Sequence, residues 1–119
     1  MSAATRVNLA CVLALLALQV AWHGMLRWPG GSTALLVILG IPLAAVLVLH
    51  LARRPSARFW SGVVALLTFC HGIAEAWTLP GAFTPGLIEA ATSALAVTSA
   101  SWDGMRARFA RKRPAPPNV

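Results

Sequence analysis

The sequence predicts an all-α integral membrane protein, a four-helix bundle with up-down-up-down topology and both termini in the cytoplasm. Composition is the first observation, since 58% of the 119 residues are hydrophobic and only 11% are charged. A soluble domain of this size needs more charged residues to cover its surface. The second observation is that four hydrophobic stretches each approach the ~20 residues of helix that cross a bilayer core. Because lipid offers no partner to backbone amides, such stretches must enter the membrane as helices.

The predicted helices form one transmembrane domain over residues 1–105, followed by a basic, proline-rich cytoplasmic tail over residues 106–119. Ser32 and Ser56 precede the second and third helices and are expected to cap them. The connections are short, which predicts that consecutive helices are antiparallel neighbours. The four helices are predicted over residues 8–26, 32–51, 59–77 and 86–105.

The helices are predicted to differ in what they face. The second is almost entirely Leu, Val, Ile and Ala and is expected to face lipid widely. Rows of small residues at close to four-residue spacing indicate packing faces, because helices in lipid associate through close packing. Such rows are Gly86, Ala90 and Ala94 in the fourth helix and Ala10, Ala14, Ala17 and Ala21 in the first. All tryptophans fall near helix ends and are expected to be interfacial anchors, namely Trp22, Trp28, Trp60, Trp77 and Trp102.

Positive charge is concentrated on one side of the predicted bundle. The chain has 10 Lys and Arg against 3 acidic residues, and only Arg27 falls on the opposite side. Since positive residues in short loops stay in the cytoplasm, both termini and the second connection are predicted to be cytoplasmic. No nucleic-acid partner is expected, because no aromatic stacking platform accompanies the charge. The side chains expected to contact anionic lipid headgroups are Arg53, Arg54, Arg58, Arg106, Arg108, Arg111, Lys112 and Arg113.

Polar and ionisable side chains in three helices form a candidate intramembrane site. His71 and Glu75 are four residues apart and share a helix face. At about 1.5 Å per residue, His23, Glu75 and Glu89 lie ~8–11 Å from the bilayer centre toward the outer surface. Because ionisable groups are unfavourable in lipid, we expect them to face the bundle interior and to meet there. The candidate site comprises Gln19, His23, His71, Glu75 and Glu89.

Several roles are open to this polar layer. Its side chains can join the helices by hydrogen bonds or contribute to a partner-binding surface. They can also handle protons or a ligand, or hold a divalent metal such as zinc. The sequence has no HExxH, CxxC or nucleophile-elbow motif, so we expect neither an enzyme nor a resident metal or cofactor. His50 is expected to reach toward water at the inner interface.

The most recognisable segment of the chain is Phe69-Cys70-His71-Gly72-Ile73-Ala74-Glu75-Ala76-Trp77, preceded by Trp60. It resembles a bacterial family known as domain of unknown function 2069, and the resemblance extends over nearly the whole chain. The family often has a tyrosine before this phenylalanine, where this chain has Thr68. The resemblance implies a small four-helix inner-membrane protein without an established biochemical activity. Further matching residues are Gln19, Trp22 and His23, Ile41-Pro42-Leu43, Arg53-Arg54, and Glu89.

The sequence therefore predicts a multi-pass protein of the bacterial inner membrane. Our leading interpretation is an accessory or interaction protein whose polar layer orders the bundle, with an unidentified membrane protein as a further partner beside the lipid headgroups. The alternative is a small proton- or ligand-handling transporter component that uses His71, Glu75 and Glu89. Four helices make a narrow bundle, so transport would require a dimer.

Overall fold

The computed structural model describes residues 2–25, residue 29 and residues 31–111, with the side chain of Arg111 excepted. Its described residues form four α-helices without strands. The helices are α1 (Ala3–Gln19), α2 (Thr33–Leu51), α3 (Ala57–Thr78) and α4 (Phe83–Arg111). A π-helical segment, Val20–Met25, continues α1 directly. The all-α, four-helix class predicted from the sequence is therefore confirmed.

The helix ends differ from the predicted ones for identifiable reasons. The first helix begins at Ala3, because the Ser2 hydroxyl accepts a hydrogen bond from the Thr5 amide at 3.2 Å. Ser32 caps α2 as expected, accepting from the Leu35 amide at 3.0 Å. Ser56 makes no capping hydrogen bond, so that prediction is wrong. With 29 residues, α4 is about 44 Å long and exceeds the ~30 Å bilayer core.

Contacts between the helices define an antiparallel, up-down-up-down bundle. Near the start of α1, the Asn8 side chain donates to the Ala96 carbonyl late in α4 at 3.0 Å. At the other end, the Ser32 amide before α2 donates to His23 Nδ1 at 3.2 Å. The first turns of α1 and the last turns of α4 thus lie at one end of the bundle. We call it the basic end, because the α2–α3 turn with Arg53 and Arg54 also lies there.

The tightest helix crossing joins α3 and α4 at two glycines. A Cβ atom added to Gly72 would lie 2.6 Å from the Gly86 carbonyl oxygen. A Cβ atom added to Gly86 would lie equally close to the Gly72 carbonyl oxygen. Only glycine permits backbones this close. Ala90 belongs to this buried face, whereas Ala94, predicted to share it, is exposed.

The predicted packing row on α1 is wrong. Ala10, Ala14 and Ala17 are exposed. The buried face of α1 is instead Asn8, Cys11, Val12, Leu15 and Gln19. Its apolar members contribute to a core in the middle of the bundle that also includes Leu43, Ala65 and Ala96. The side chains of Asn8 and Gln19 therefore set the rotation of α1 about its axis.

The outer surface of the bundle carries large apolar side chains. On α2 they include Val37, Ile38, Ile41 and Val48, as expected of a helix that faces lipid. Trp60 and Trp77 are exposed near the ends of α3, in keeping with interfacial anchors, whereas Trp102 is exposed nine residues before the end of α4. Trp22 is fully buried, so its predicted role as an anchor is wrong, and Trp28 lies outside the described residues.

Three segments are long and apolar enough to cross a membrane, namely Ala3–Met25, Thr33–Leu51 and Ala57–Thr78. The fourth helix is not among them. Its polar residues lower its mean hydropathy, in line with the expectation that it inserts against its neighbours.

Candidate functional site

The five candidate residues come together at the end of the bundle opposite the basic end. Gln19 is the last residue of α1, and His23 lies in the π-helical segment that follows it. His71 and Glu75 occupy one face of α3, and Glu89 is the seventh residue of α4. We refer to Gln19, His23, His71, Glu75 and Glu89 as the polar cluster.

Glu89 lies at the centre of the polar cluster. Its side chain is fully buried, with 0% exposed. One carboxylate oxygen, Oε2, accepts from Gln19 Nε2 at 2.5 Å, and the other, Oε1, lies 2.7 Å from His71 Nδ1. Each oxygen thus has a partner on a different helix, which satisfies the carboxylate and links α1, α3 and α4.

His71 connects the buried carboxylate to a second, more accessible one. Its Nε2 lies 3.9 Å from Glu75 Oε1, within ion-pair range but too far for a hydrogen bond. The exposed fraction of the side chain rises from 0% at Glu89 to 11% at His71 and 23% at Glu75. The three groups therefore form a path from the bundle interior toward its surface.

Aromatic rings close one side of the cluster. The Trp22 and His23 rings stack with centroids 5.0 Å apart and planes 9° from parallel. Trp22 also contacts the His71 ring at 5.1 Å, and its Nε1 donates to the Pro29 carbonyl at 3.0 Å. The Trp22 and His23 rings both belong to the π-helical segment, and π-helical geometry often occurs at functional sites.

Three polar atoms of the cluster are buried without a hydrogen-bond partner in the described part of the chain. They are Gln19 Oε1, His23 Nε2 and His71 Nε2. Because His23 Nδ1 accepts from the Ser32 amide, Nε2 carries the proton of the neutral ring and is a donor. Gln19 Oε1 is an acceptor. Donors and acceptors left open together are the kind of surroundings that hold a buried water or a small polar ligand.

The zinc alternative finds no ligand set here. Among the described residues, no three His, Cys, Asp or Glu side chains are arranged to hold a metal ion. The arrangement can order three helices, and it can pass a proton between carboxylate and imidazole groups in contact.

The comparisons with known proteins agree with this architecture. The model of a family described as predicted membrane protein (DUF2069) matches residues 7–108. The chain belongs to this family. The resemblance noted in the sequence is thereby confirmed, and this DUF2069 protein is a membrane protein whose family description assigns no activity. Comparison with curated proteins gave no match, and comparison with solved structures gave none either.

A second polar layer in this DUF2069 protein was missed by the sequence analysis. His50 is buried, with its Nε2 2.8 Å from Asn8 Oδ1, so the prediction that it reaches toward water is wrong. The Asn8 amide also donates to the Ser99 hydroxyl at 3.2 Å. Asn8 was a detectable signal, because a lone amide in an apolar stretch needs a partner inside the bundle.

A hydroxyl pair lies between the two polar layers. Thr68 and Ser93 are both buried, and their hydroxyl oxygens are 2.6 Å apart. Thr68 also donates to the carbonyl oxygen of Ala65. The position where the family often has a tyrosine thus holds a short side chain that joins α3 to α4.

The residues predicted to contact headgroups have different surroundings. Arg53, Arg54, Arg106 and Arg108 are exposed at the basic end. Arg58 is directed inward, donating to Asp103 Oδ2 and to the Ser99 carbonyl oxygen, both at 2.5 Å. Lys112, Arg113 and most of the predicted tail lie outside the described residues, and so does the side chain of Arg111.

Proposed function

We propose that this protein is a non-enzymatic accessory protein of the bacterial inner membrane, with both termini in the cytoplasm. It acts by binding another membrane protein, and its polar cluster serves to fix the helices in one arrangement. The observation that carries the structural role of the cluster is the double linkage of Glu89, which joins α4 to α1 and α3 through its two oxygens.

The surface of the bundle supports a role in binding. Large apolar side chains cover the outer faces of α2 and α3, and both helices have room for a membrane partner to pack. In lipid such a partner would associate through shape and small polar contacts rather than through the hydrophobic effect. Exposed side chains on α3 that would contribute are Phe59, Trp60, Val63, Leu66 and Leu67.

The structural role of the cluster is tested by Glu89→Gln. An amide in place of the carboxylate has an acceptor at only one of the two oxygen positions, so it cannot accept from Gln19 Nε2 at one position and from His71 Nδ1 at the other. We expect the free energy of unfolding in detergent to fall by about 1–3 kcal/mol, the effect of leaving a buried donor unpaired.

Glu75→Gln is the matched control for this measurement. The Glu75 carboxylate makes no hydrogen bond to His71 and is partly exposed, so we expect a change below about 0.5 kcal/mol. Unchanged or increased stability of Glu89→Gln would contradict the structural role of the carboxylate. Copurification from native membranes, with and without crosslinking, tests the accessory role itself, and recovery of the chain without any membrane protein would count against it.

Proton handling is a second candidate function, favoured by the path from Glu89 through His71 to Glu75. Increasing exposure along this path and the open His71 Nε2 are what a proton relay requires. The test is proton flux into liposomes that contain the purified chain and a pH-sensitive dye. Flux that is lost in Glu75→Gln, a variant expected to remain folded, would favour this function, and flux equal to that of empty liposomes would exclude it.

A further inference from the structure

A cavity at the basic end is lined by cationic groups that the polar cluster does not involve. Its volume is about 250 Å³, and it lies between the start of α1 and the α2–α3 turn. Its wall includes Thr5, His50, Arg53, Arg54 and Arg58. Three arginine residues therefore line one concave surface, at the level where the membrane-spanning helices end, and the guanidinium group of Arg58 is already bonded to Asp103 and to the Ser99 carbonyl oxygen.

The start of α3 adds a backbone donor to this cavity. Ala57 and Arg58, the first residues of α3, are part of its wall, and the Ala57 amide donates to the Arg54 carbonyl oxygen at 3.1 Å. Because Ser56 provides no side-chain cap, the Arg58 amide in the first turn of this 22-residue helix is left for an acceptor from outside the described residues. Arginine side chains and helix N-terminal amides together are the groups that bind phosphate in proteins.

His50 is a second, independent indication of a ligand. It is 4% exposed and lines the cavity, and its Nε2 is bonded to Asn8. Because Asn8 Oδ1 is an acceptor, Nε2 carries the proton of the neutral ring, and Nδ1 is an acceptor for which no partner is found among the described residues. Such a nitrogen is placed to accept from a ligand hydroxyl, such as that of a polar headgroup or of a protonated phosphate oxygen.

Arg53 adopts a backbone conformation that favours glycine. It follows α2 with φ +56°, and the amides of Arg53 and Arg54 donate to the carbonyl oxygens of His50 and Leu49. This is the helix-ending turn in which glycine is the usual residue at the left-handed position. An arginine here is strained, and strain of this kind is typical of residues whose side chain is used.

The nearby acidic charge does not neutralise the cavity. Asp103 is bonded to Arg58 and is not part of the wall. Arg53 and Arg54 line the cavity without an acidic partner among the described residues. We propose that this cavity binds a phosphate group, presented either by the headgroup of an anionic lipid or by a free phosphate ion. This goes beyond the accessory function and does not depend on it.

The test compares lipid retention by the full chain and its variants. Native mass spectrometry from detergent with equal phosphatidylglycerol and phosphatidylcholine measures how strongly the chain prefers the anionic lipid. We expect wild type to retain one phosphatidylglycerol preferentially and Arg54→Gln to reduce that preference about fivefold, equivalent to about 1 kcal/mol. Arg106→Gln, which removes an exposed charge at the same end but outside the cavity, is the matched control and should leave the preference within twofold.

Arg53→Gly keeps the test independent of folding. Glycine suits the local backbone, so this variant should be at least as stable as wild type and still lose the preference for phosphatidylglycerol. A second arm measures thermal stability in phosphatidylcholine nanodiscs with inorganic phosphate or chloride at equal ionic strength. Stabilisation by phosphate in wild type but not in Arg54→Gln identifies a free phosphate as the ligand. Equal loss of preference in Arg54→Gln and Arg106→Gln, or no response in either arm, would overturn the proposal.

Discussion

The crossing of α3 and α4 leaves no space for a methyl group, and Gly72→Ala tests this directly. The added Cβ would lie 2.6 Å from the Gly86 carbonyl oxygen and 2.9 Å from the Ala90 amide nitrogen. Both are backbone atoms of a helix, so relief requires the helices to separate by about 0.8 Å to reach an ordinary 3.4 Å contact. Overpacking costs about 1–3 kcal/mol, and we expect about 2–3 kcal/mol here because backbone cannot rotate away. Separation would also pull Glu89 from His71.

The assay is unfolding in one detergent, followed by circular dichroism. Gly62→Ala is the matched control, since it makes the same change on the same helix with its nearest contact, Ala100 Cβ, at 3.4 Å. Gly104→Ala, which meets nothing within 4 Å, is a second control. Both should be neutral or stabilising by up to about 1 kcal/mol, because alanine favours helix. If Gly72→Ala unfolds at the same point as Gly62→Ala, the close contact of the two backbones is refuted.

Three further predictions concern the turn after α2, the second polar layer and the hydroxyl pair. Arg53→Gly should raise the free energy of unfolding by about 1 kcal/mol by removing left-handed strain, and unfolding in detergent that shows a decrease would contradict this. Asn8→Ala should lower stability by about 1–3 kcal/mol, because it leaves the buried His50 without its partner, and unchanged unfolding would argue against the second layer. A double-mutant cycle of Thr68→Val and Ser93→Ala should give a coupling near 0.6 kcal/mol, and zero coupling would mean that their hydroxyls do not interact.

The sequence predicted that the side chains of the polar cluster lie together, because ionisable residues in a membrane helix face the bundle interior. The position of Glu75 and Glu89 along their helices predicts their depth in the bilayer. The unfavourable free energy of an ionisable group in lipid predicts that both side chains point into the bundle. Gln19, His71 and Glu89 are accordingly in contact. The ring stack of Trp22 on His23 was not predictable, because nothing in the sequence indicates the π-helical segment that carries both.

The rotation of α1 was mispredicted because apolar residues carry little directional information in a membrane. Alanine and leucine suit lipid and core alike, so the alanine row had no physical need to be buried. Asn8 and Gln19 did have that need, and eleven residues of helix place them on nearly the same face. The positions of Asn8 and Gln19, and not those of the alanines, therefore indicate which face of α1 is buried. The α3–α4 crossing depended on Gly72, whose role is visible only once Gly86 lies opposite it.

The polar contacts and the weak hydrophobicity of α4 are two aspects of one physical problem. This helix is not among the three apolar enough to cross a membrane, yet it contributes Glu89 to one layer and Ser99 to the other. Those side chains are buried against α1 and α3, where their partners lie. A carboxylate such as Glu89 enters a low-dielectric interior at tolerable free energy only when bonded. The insertion of α4 is therefore coupled to its contacts with Gln19 and His71, and these contacts allow a carboxylate to be buried in the bundle.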